Sequence, residues 1–221
     1  MDTLGHLQSH HRDFHSFHDV MVDTQAGRFN EEYWDFFSKW IAPALVPNSR
    51  ALDMGTGPGG WLTMMKARYP EVGICGIEVV PIMLETARLT GAEIGAEVVA
   101  VDLSSNDWSE NIDGTFEVGH CSMVLHELLN PFSLLENAAK LIRPGGRLFI
   151  FDWCRHPLAD YLARKEEEPP LDEDTFQHFS EHARFSPDDV TLLAERAGFR
   201  EIARHHRDVA HVMLAYQRKG G

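Results

Sequence analysis

Apolar residues recur along this chain in short unbroken runs, separated by longer stretches whose apolar positions keep helical spacing. That alternation builds a doubly wound, mostly parallel sheet with helices on both faces. The runs near 50–54, 72–77, 96–101, 116–121 and 147–153 read as core strands. Asn30 opens a helix in which Tyr33, Phe36, Phe37, Trp40 and Ile41 share one face, the face expected to dock on the domain. Asn130 and Pro131 open another that runs to Ile142 and stops at Pro144-Gly145-Gly146, and Ser186-Pro187 opens a third that stops at Gly198. Two last segments, 200–205 and 209–217, lie close enough to pair antiparallel.

The first strand runs into Asp53-Met54-Gly55-Thr56-Gly57-Pro58-Gly59-Gly60, a glycine-rich turn that opens into a helix. Glycines let the backbone pass close under a ligand, and the helix start offers unpaired N–H groups. Gly55, Gly57 and Gly60 also satisfy the dinucleotide fingerprint, so the glycines alone leave the ligand open. Asp53 bears on the choice, because a carboxylate two residues before the first glycine repels a pyrophosphate and favours a cationic group. The second strand ends on Glu78, 25 residues after Asp53, where a carboxylate can accept both hydroxyls of a ribose. The third ends on Asp102, placed to accept from an exocyclic amine such as that of adenine.

Taken together, Leu52-Asp53-Met54-Gly55-Thr56-Gly57-Pro58-Gly59, Gly76-Ile77-Glu78-Val79, Val101-Asp102-Leu103, the segment 116–128 and Arg143-Pro144-Gly145-Gly146-Arg147 resemble a class I S-adenosylmethionine-dependent methyltransferase, from about residue 48 onward. The resemblance implies a seven-stranded sheet closed by the antiparallel pair, and S-adenosylmethionine as cofactor. It places the methionine moiety at Asp53, Gly55, Thr56, Gly57 and Gly59, the ribose at Glu78, and the adenine against Val79 and Leu103 with its amine at Asp102. Cys121 and Ser122 would flank the sulfonium. One departure is Gly119-His120, which replaces the usual apolar pair of the fourth strand.

Composition narrows the partners. At 221 residues there is room for one such domain spanning 1–221, and 34 acidic against 20 basic side chains give a formal charge of −14. That field repels phosphate backbones and anionic lipid, which argues against nucleic acid and membrane partners. The apolar runs are strand-length and no leader pattern is present, so neither a span nor a secretory signal is expected. Cys75, Cys121 and Cys154 lie in or beside strands, as reduced thiols of a cytoplasmic protein do, with no disulfide expected. A homodimer is compatible with the chain.

Two segments fall outside the cofactor scaffold and are the expected substrate walls: an N-terminal helical arm or lid over 1–47, and an insertion over 154–185. In the latter, Glu166-Glu167-Glu168-Pro169-Pro170 breaks a helix and Asp172-Glu173-Asp174 begins the next. His11, His15 and His18 share a helical face, and His178 and His182 make a further i, i+4 pair; neither set has partners at ligand spacing, so no metal is expected. Instead, His18 and Tyr33 from the arm, with Trp153, Arg155 and His156 after the fifth strand, are the candidate acceptor contacts. His126, just past the fourth strand, is the candidate general base, an imidazole of ordinary pKa about 6.5 suiting proton removal at neutral pH. The expected activity is in-line transfer of the methyl group to an O, N or S atom of a small molecule. The alternatives are methylation of a protein or peptide, to which an acidic surface would draw a basic segment, and a non-catalytic S-adenosylmethionine-binding module.

Overall fold

The computed structural model describes residues 3–11, 13–163 and 171–220. In chain order the elements are α1 (Thr3–His11), α2 (Phe14–Arg28), α3 (Glu31–Trp40), β1 (Arg50–Met54), α4 (Gly60–Arg68), β2 (Gly73–Glu78), α5 (Pro81–Ile94), β3 (Glu97–Ala100), β4 (Phe116–Ser122), α6 (Pro131–Leu141), β5 (Ile142–Trp153), α7 (Leu158–Ala163), α8 (Glu173–His182), α9 (Pro187–Arg196), β6 (Phe199–His206) and β7 (His211–Arg218). The strands form one seven-stranded sheet in the order β3-β2-β1-β4-β5-β7-β6. β1 to β5 pair in parallel, and β7 runs antiparallel to both β5 and β6. This is the expected α/β architecture. The chain order reverses between β1 and β4, where the crevice beyond the strand ends is the natural ligand site of a doubly wound sheet.

Each face of the sheet carries its own apolar layer. One is filled by α6 and α9 through Leu134, Leu135, Ala138, Val190 and Ala194, the other by α3 and α4 through Tyr33, Phe37, Trp61, Leu62 and Met65. Local chemistry starts these helices where the sequence predicts: Asn30 accepts from the Tyr33 N–H at 3.1 Å, Asp172 from Thr175 at 3.0 Å, and Ser186 and Asp189 form a reciprocal capping box. The expected break at Glu166-Glu167-Glu168-Pro169-Pro170 lies outside the described residues. The three cysteines are buried and free. No helix among the described residues is long and apolar enough to cross a membrane.

One boundary differs. α6 stops at Leu141 and β5 begins at Ile142, five residues before the expected strand start. Phe116 pairs with Ile142, but Val118 pairs with Arg147, so 143–146 bulge out of the ladder with Gly145 at φ +81°. The Pro-Gly-Gly that reads as a helix stop in sequence is a bulge in the strand.

The departure at Gly119-His120 also acquires a reason. Register sets His120 beside Asp53. The His120 ring is buried, donates Nδ1–H to Asp53 Oδ1 at 2.7 Å and meets the Tyr33 hydroxyl through Nε2 at 2.7 Å, while Trp61 stacks on its face with centroids 4.3 Å apart. Gly119 leaves room for β5: a Cβ there would come within 2.5 Å of Ile142 Cδ1. Burial and the nearby Asp53 charge hold the Tyr33 phenol well above its usual pKa, so it remains a hydroxyl. Tyr33 is fully buried and fastens α3 to the sheet; its expected place as an acceptor contact is therefore corrected. Tyr33→Phe leaves the buried Nε2 without a partner and should lower the unfolding free energy by about 1–3 kcal/mol. Chemical denaturation measures this, and an unchanged midpoint would mean the relay does not hold α3.

Candidate active site

Beyond the ends of β1, β2 and β4 lies a cavity that opens to solvent. Asp53, Gly55, Thr56, Gly57, Glu78, Val79, Asp102, Leu103 and Ser122 line it, as the sequence reading expects. Asp53 also takes a hydrogen bond from Thr56 Oγ1 at 2.6 Å, which shapes the turn. Gly57 has φ +56°, and a Cβ there would meet nothing within 4 Å, so the backbone lies open to a ligand. Glu78 is buried and accepts from the N–H groups of Gly57, Val79 and Val80 at 2.8, 2.8 and 2.9 Å; burial still raises its pKa against those bonds. Asp102 accepts from Ser104 N–H at 2.8 Å and from Thr3 Oγ1 at 2.7 Å.

Two expected cofactor contacts fall away from the cavity wall. The side chain of Cys121 points into the opposite apolar layer because side chains alternate along a strand, and burial drives its thiol pKa well up. Gly59, at φ +91°, serves packing: a Cβ would crowd Thr90 and Ala87 of α5. Conversely Ser122 Oγ is buried in the cavity wall with no partner among the described residues, a polar atom that a bound ligand would satisfy. With acids at the amine, ribose and adenine positions, the donor set fits S-adenosylmethionine.

A second cavity adjoins the first, the two sharing Phe17, Met21, Arg28, Met123 and Glu127. It is walled by Phe151 and Trp153 and by His10, His11, His126, His178, His182 and His211. Met123, at the shared wall, holds a left-handed backbone at φ +58°, a strained conformation that recurs at functional sites. Of the candidate acceptor contacts, Trp153 lines this cavity. His18 instead bonds Thr86 of α5 at 3.0 Å, Arg155 bonds the Arg184 carbonyl and lies 3.6 Å from Asp189, and His156 bonds the Cys154 carbonyl at 2.7 Å. These three line neither cavity; for Arg155 and His156 the reason is that the chain turns away from the sheet after Trp153.

His126 sits on a short turn after β4 and is buried, with Nδ1 2.5 Å from Asp152 Oδ1 and Nε2 3.2 Å from Glu127 Oε1. Burial alone would lower its pKa, but the Asp152 charge and the bonds to both carboxylates outweigh it and push the ring up to about 10. It is an imidazolium at neutral pH with neither nitrogen free, so the expected role of general base is corrected. His182 is the converse. Its Nδ1 donates to the His178 carbonyl at 2.8 Å, which leaves Nε2 as the lone-pair nitrogen. Burial and the neighbouring His126 charge push it down to about 4. It stacks between His126 and His178, with Trp153 edge-on at 4.7 Å.

Glu127 holds the arm down. Its Oε2 lies 2.9 Å from His10 Nδ1, its Oε1 2.9 Å from His11 Nε2, and its backbone carbonyl accepts from His6 Nε2 at 3.1 Å. Thr3 on Asp102 and these imidazoles fasten α1, and neither α1 nor α2 buries a side chain fully. Among the described residues no group of three or more His, Cys, Asp or Glu is arranged for an ion.

A family model described as a methyltransferase domain matches residues 23–203. A ubiquinone biosynthesis O-methyltransferase of Xanthomonas campestris pv. campestris is 31% identical over 122 residues, 55% of this chain and 50% of that one, so the chain spans about half the length of the curated relatives it matches. Among solved structures, a S-adenosylmethionine-dependent methyltransferase from Clostridium acetobutylicum aligns with a TM-score of 0.70 at 12% identity, covering 94% of this chain and 99% of that one. An O-methyltransferase family protein from Burkholderia thailandensis gives 0.65 at 20% identity over 93% and 59%. At these identities the two structures are similar in fold.

The latch on Glu127 has a pH window. The bond to Glu127 outweighs burial and raises His10 above 6.5, so its hold on α1 is complete below about that value and fades as pH climbs through the raised one. Burial favours the protonated form of Glu127, yet His10, His11 and His126 hold it far below its ordinary 4.5, so its contribution persists above that pH and is lost only in strong acid. His6, lowered by burial, opposes the trend. Hydrogen exchange of α1 amides, corrected for intrinsic pH dependence, should accelerate as the pH rises above the ordinary imidazole value of about 6.5. Glu127→Gln should flatten that rise, and a flat wild-type profile would refute the latch.

Proposed function

The chain belongs to the methyltransferase-domain family and is a S-adenosylmethionine-dependent methyltransferase, and we propose that it methylates a hydroxyl of a small, flat, aromatic acceptor. The observation that carries this is the second cavity, which joins the cofactor cavity at Met123 and Glu127 and is walled by Phe17, Phe151 and Trp153. Flat aromatic walls favour a ring stacked or edge-on. The name of the curated relatives supports oxygen as the receiving atom. When bound, S-adenosylmethionine supplies an electrophilic sulfonium methyl at the junction. The protein's own task is to hold the acceptor oxygen in line, exclude water and take a proton.

In this reading α1 and α2 form the lid, fastened by Thr3, His10 and His11, and the 154–185 insertion supplies the far wall through α8. The closed lid favours a small acceptor over a peptide. His182 takes the acceptor's proton: its lone-pair nitrogen is set by the His178 carbonyl, and no partner for it lies among the described residues. His126, charged between Asp152 and Glu127, keeps His182 neutral.

Labelled cofactor offered with phenols, catechols, amines, thiols and basic peptides should label the phenolic compounds. Exclusive labelling of peptides or amines would overturn the acceptor class, and no labelling of anything would favour a binding module. With the labelled phenol, His182→Ala should lower kcat by about 10²-fold or more and leave the donor KM unchanged. Because His182 stays neutral down to about pH 4, the wild-type rate should show no limb near pH 6.5. An undiminished kcat in the variant would remove His182 from the chemistry.

A further inference from the structure

Asp102 lies at an apolar end of the first cavity, with Val79, Val101 and Leu103 on the same wall. Apolar side chains suit the flat faces of a purine ring, and a carboxylate beside them suits its exocyclic amine. Both carboxylate oxygens are engaged within the chain. Oδ1 accepts from the Ser104 N–H at 2.8 Å, a turn bond fixed by the backbone two residues on. Oδ2, the oxygen left for a ligand, accepts from Thr3 Oγ1 at 2.7 Å across 99 residues of sequence. Thr3 thus offers Asp102 the kind of bond that an adenine amine would offer.

The way α1 is anchored lets this contact open and re-form. The helix has nine residues, a length of about 13 Å, and its far end is fastened separately by His6, His10 and His11 on Glu127. Loss of the Thr3 bond therefore frees the first turn alone. That turn buries no side chain fully, and such helix ends fray at low cost. Leu7, one turn on, lines the same cavity, so the freed segment is the one that roofs the purine end. Exchange of the hydroxyl for an amine leaves Asp102 with as many hydrogen bonds as before, which keeps the step cheap in both directions. A tethered hydroxyl also stays at high effective concentration, and it returns to Oδ2 as soon as the amine departs.

We propose that the Thr3 hydroxyl is an internal competitor for the adenine amine: donor entry displaces it from Asp102, and its return helps to expel S-adenosylhomocysteine after transfer. Product release limits many enzymes, and this is the step that a tethered displacer shortens. The inference rests on the donor lying with its adenine at Asp102 and is independent of the acceptor. Calorimetry and stopped-flow binding of S-adenosylhomocysteine and S-inosylhomocysteine test it, the second ligand carrying a carbonyl oxygen where the first has the amine. In Thr3→Val, which keeps the size and loses the hydroxyl, the dissociation constant of S-adenosylhomocysteine should fall on the order of 3–10-fold through slower release. That is the factor by which a contact formed about 70–90% of the time masks a site. S-inosylhomocysteine should bind Thr3→Val as it binds the wild type, and Thr3→Ser should behave as the wild type toward both. Weaker or unchanged binding of S-adenosylhomocysteine to Thr3→Val would mean that hydroxyl and amine do not compete, and equal tightening of both ligands would reduce α1 to a cover; each result overturns the proposal. Asp102→Asn, which offers an N–H, checks the donor's placement separately. It should shift preference toward S-inosylhomocysteine, and an unshifted preference would put the adenine elsewhere and remove the competitor with it.

Discussion

The buried carboxylate of Asp53 is the constraint around which the site is arranged. A charge at the centre of a sheet must be compensated by hydrogen bonds, and Asp53 obtains them from two directions: Thr56 in the glycine turn and His120 on the neighbouring strand. His120 in turn needs a partner for its second nitrogen and finds it in Tyr33 of α3. The cofactor turn, the central strand pair and the helix that covers one face are thereby tied into one polar chain inside an aromatic layer. Such a network is stable only when every member is satisfied, so His120 and Tyr33 are as much a part of the cofactor site as the glycines.

A second network of charge lies across the opening. Asp152 accepts from the backbone of Val124 and Leu125 as well as from His126, and so fixes the turn after β4. His126 passes positive charge to Glu127, and Glu127 gathers the imidazoles of α1. The arm consequently has two characters. α3 is part of the core, with Tyr33, Trp34, Phe36 and Phe37 buried, whereas α1 and α2 have no fully buried side chain. Elements with so little buried area open at low cost, as the cover of a binding site must.

The two cavities share a wall at Met123 and Glu127. In the proposed reading one network supplies negative charge toward the donor's cationic centres, and the other sets a neutral imidazole beside a charged one on the acceptor side. Division of protonation states between adjacent groups is how a site at neutral pH separates a proton acceptor from an electrostatic support.

Much of this was legible in the sequence because it depends on short-range pattern. Strand runs, caps at Asn30, Asp172 and Ser186, and the acids ending successive strands give the sheet and most of the first cavity's wall. What the sequence left open depends on distance across the fold. Cys121 and Ser122 are adjacent, yet strand alternation sends one into the apolar layer and the other into the cavity. His126 reads as a free imidazole until Asp152 and Glu127 are brought against both of its nitrogens, and His182 reads only as half of an i, i+4 pair with His178 until the fold sets it beside His126 and Trp153. The sequence determined the scaffold, because local periodicity and turn chemistry act within a few residues. Only the tertiary structure decided the protonation states and the partners of the site, because charge, burial and lone-pair availability are set by neighbours far apart along the chain.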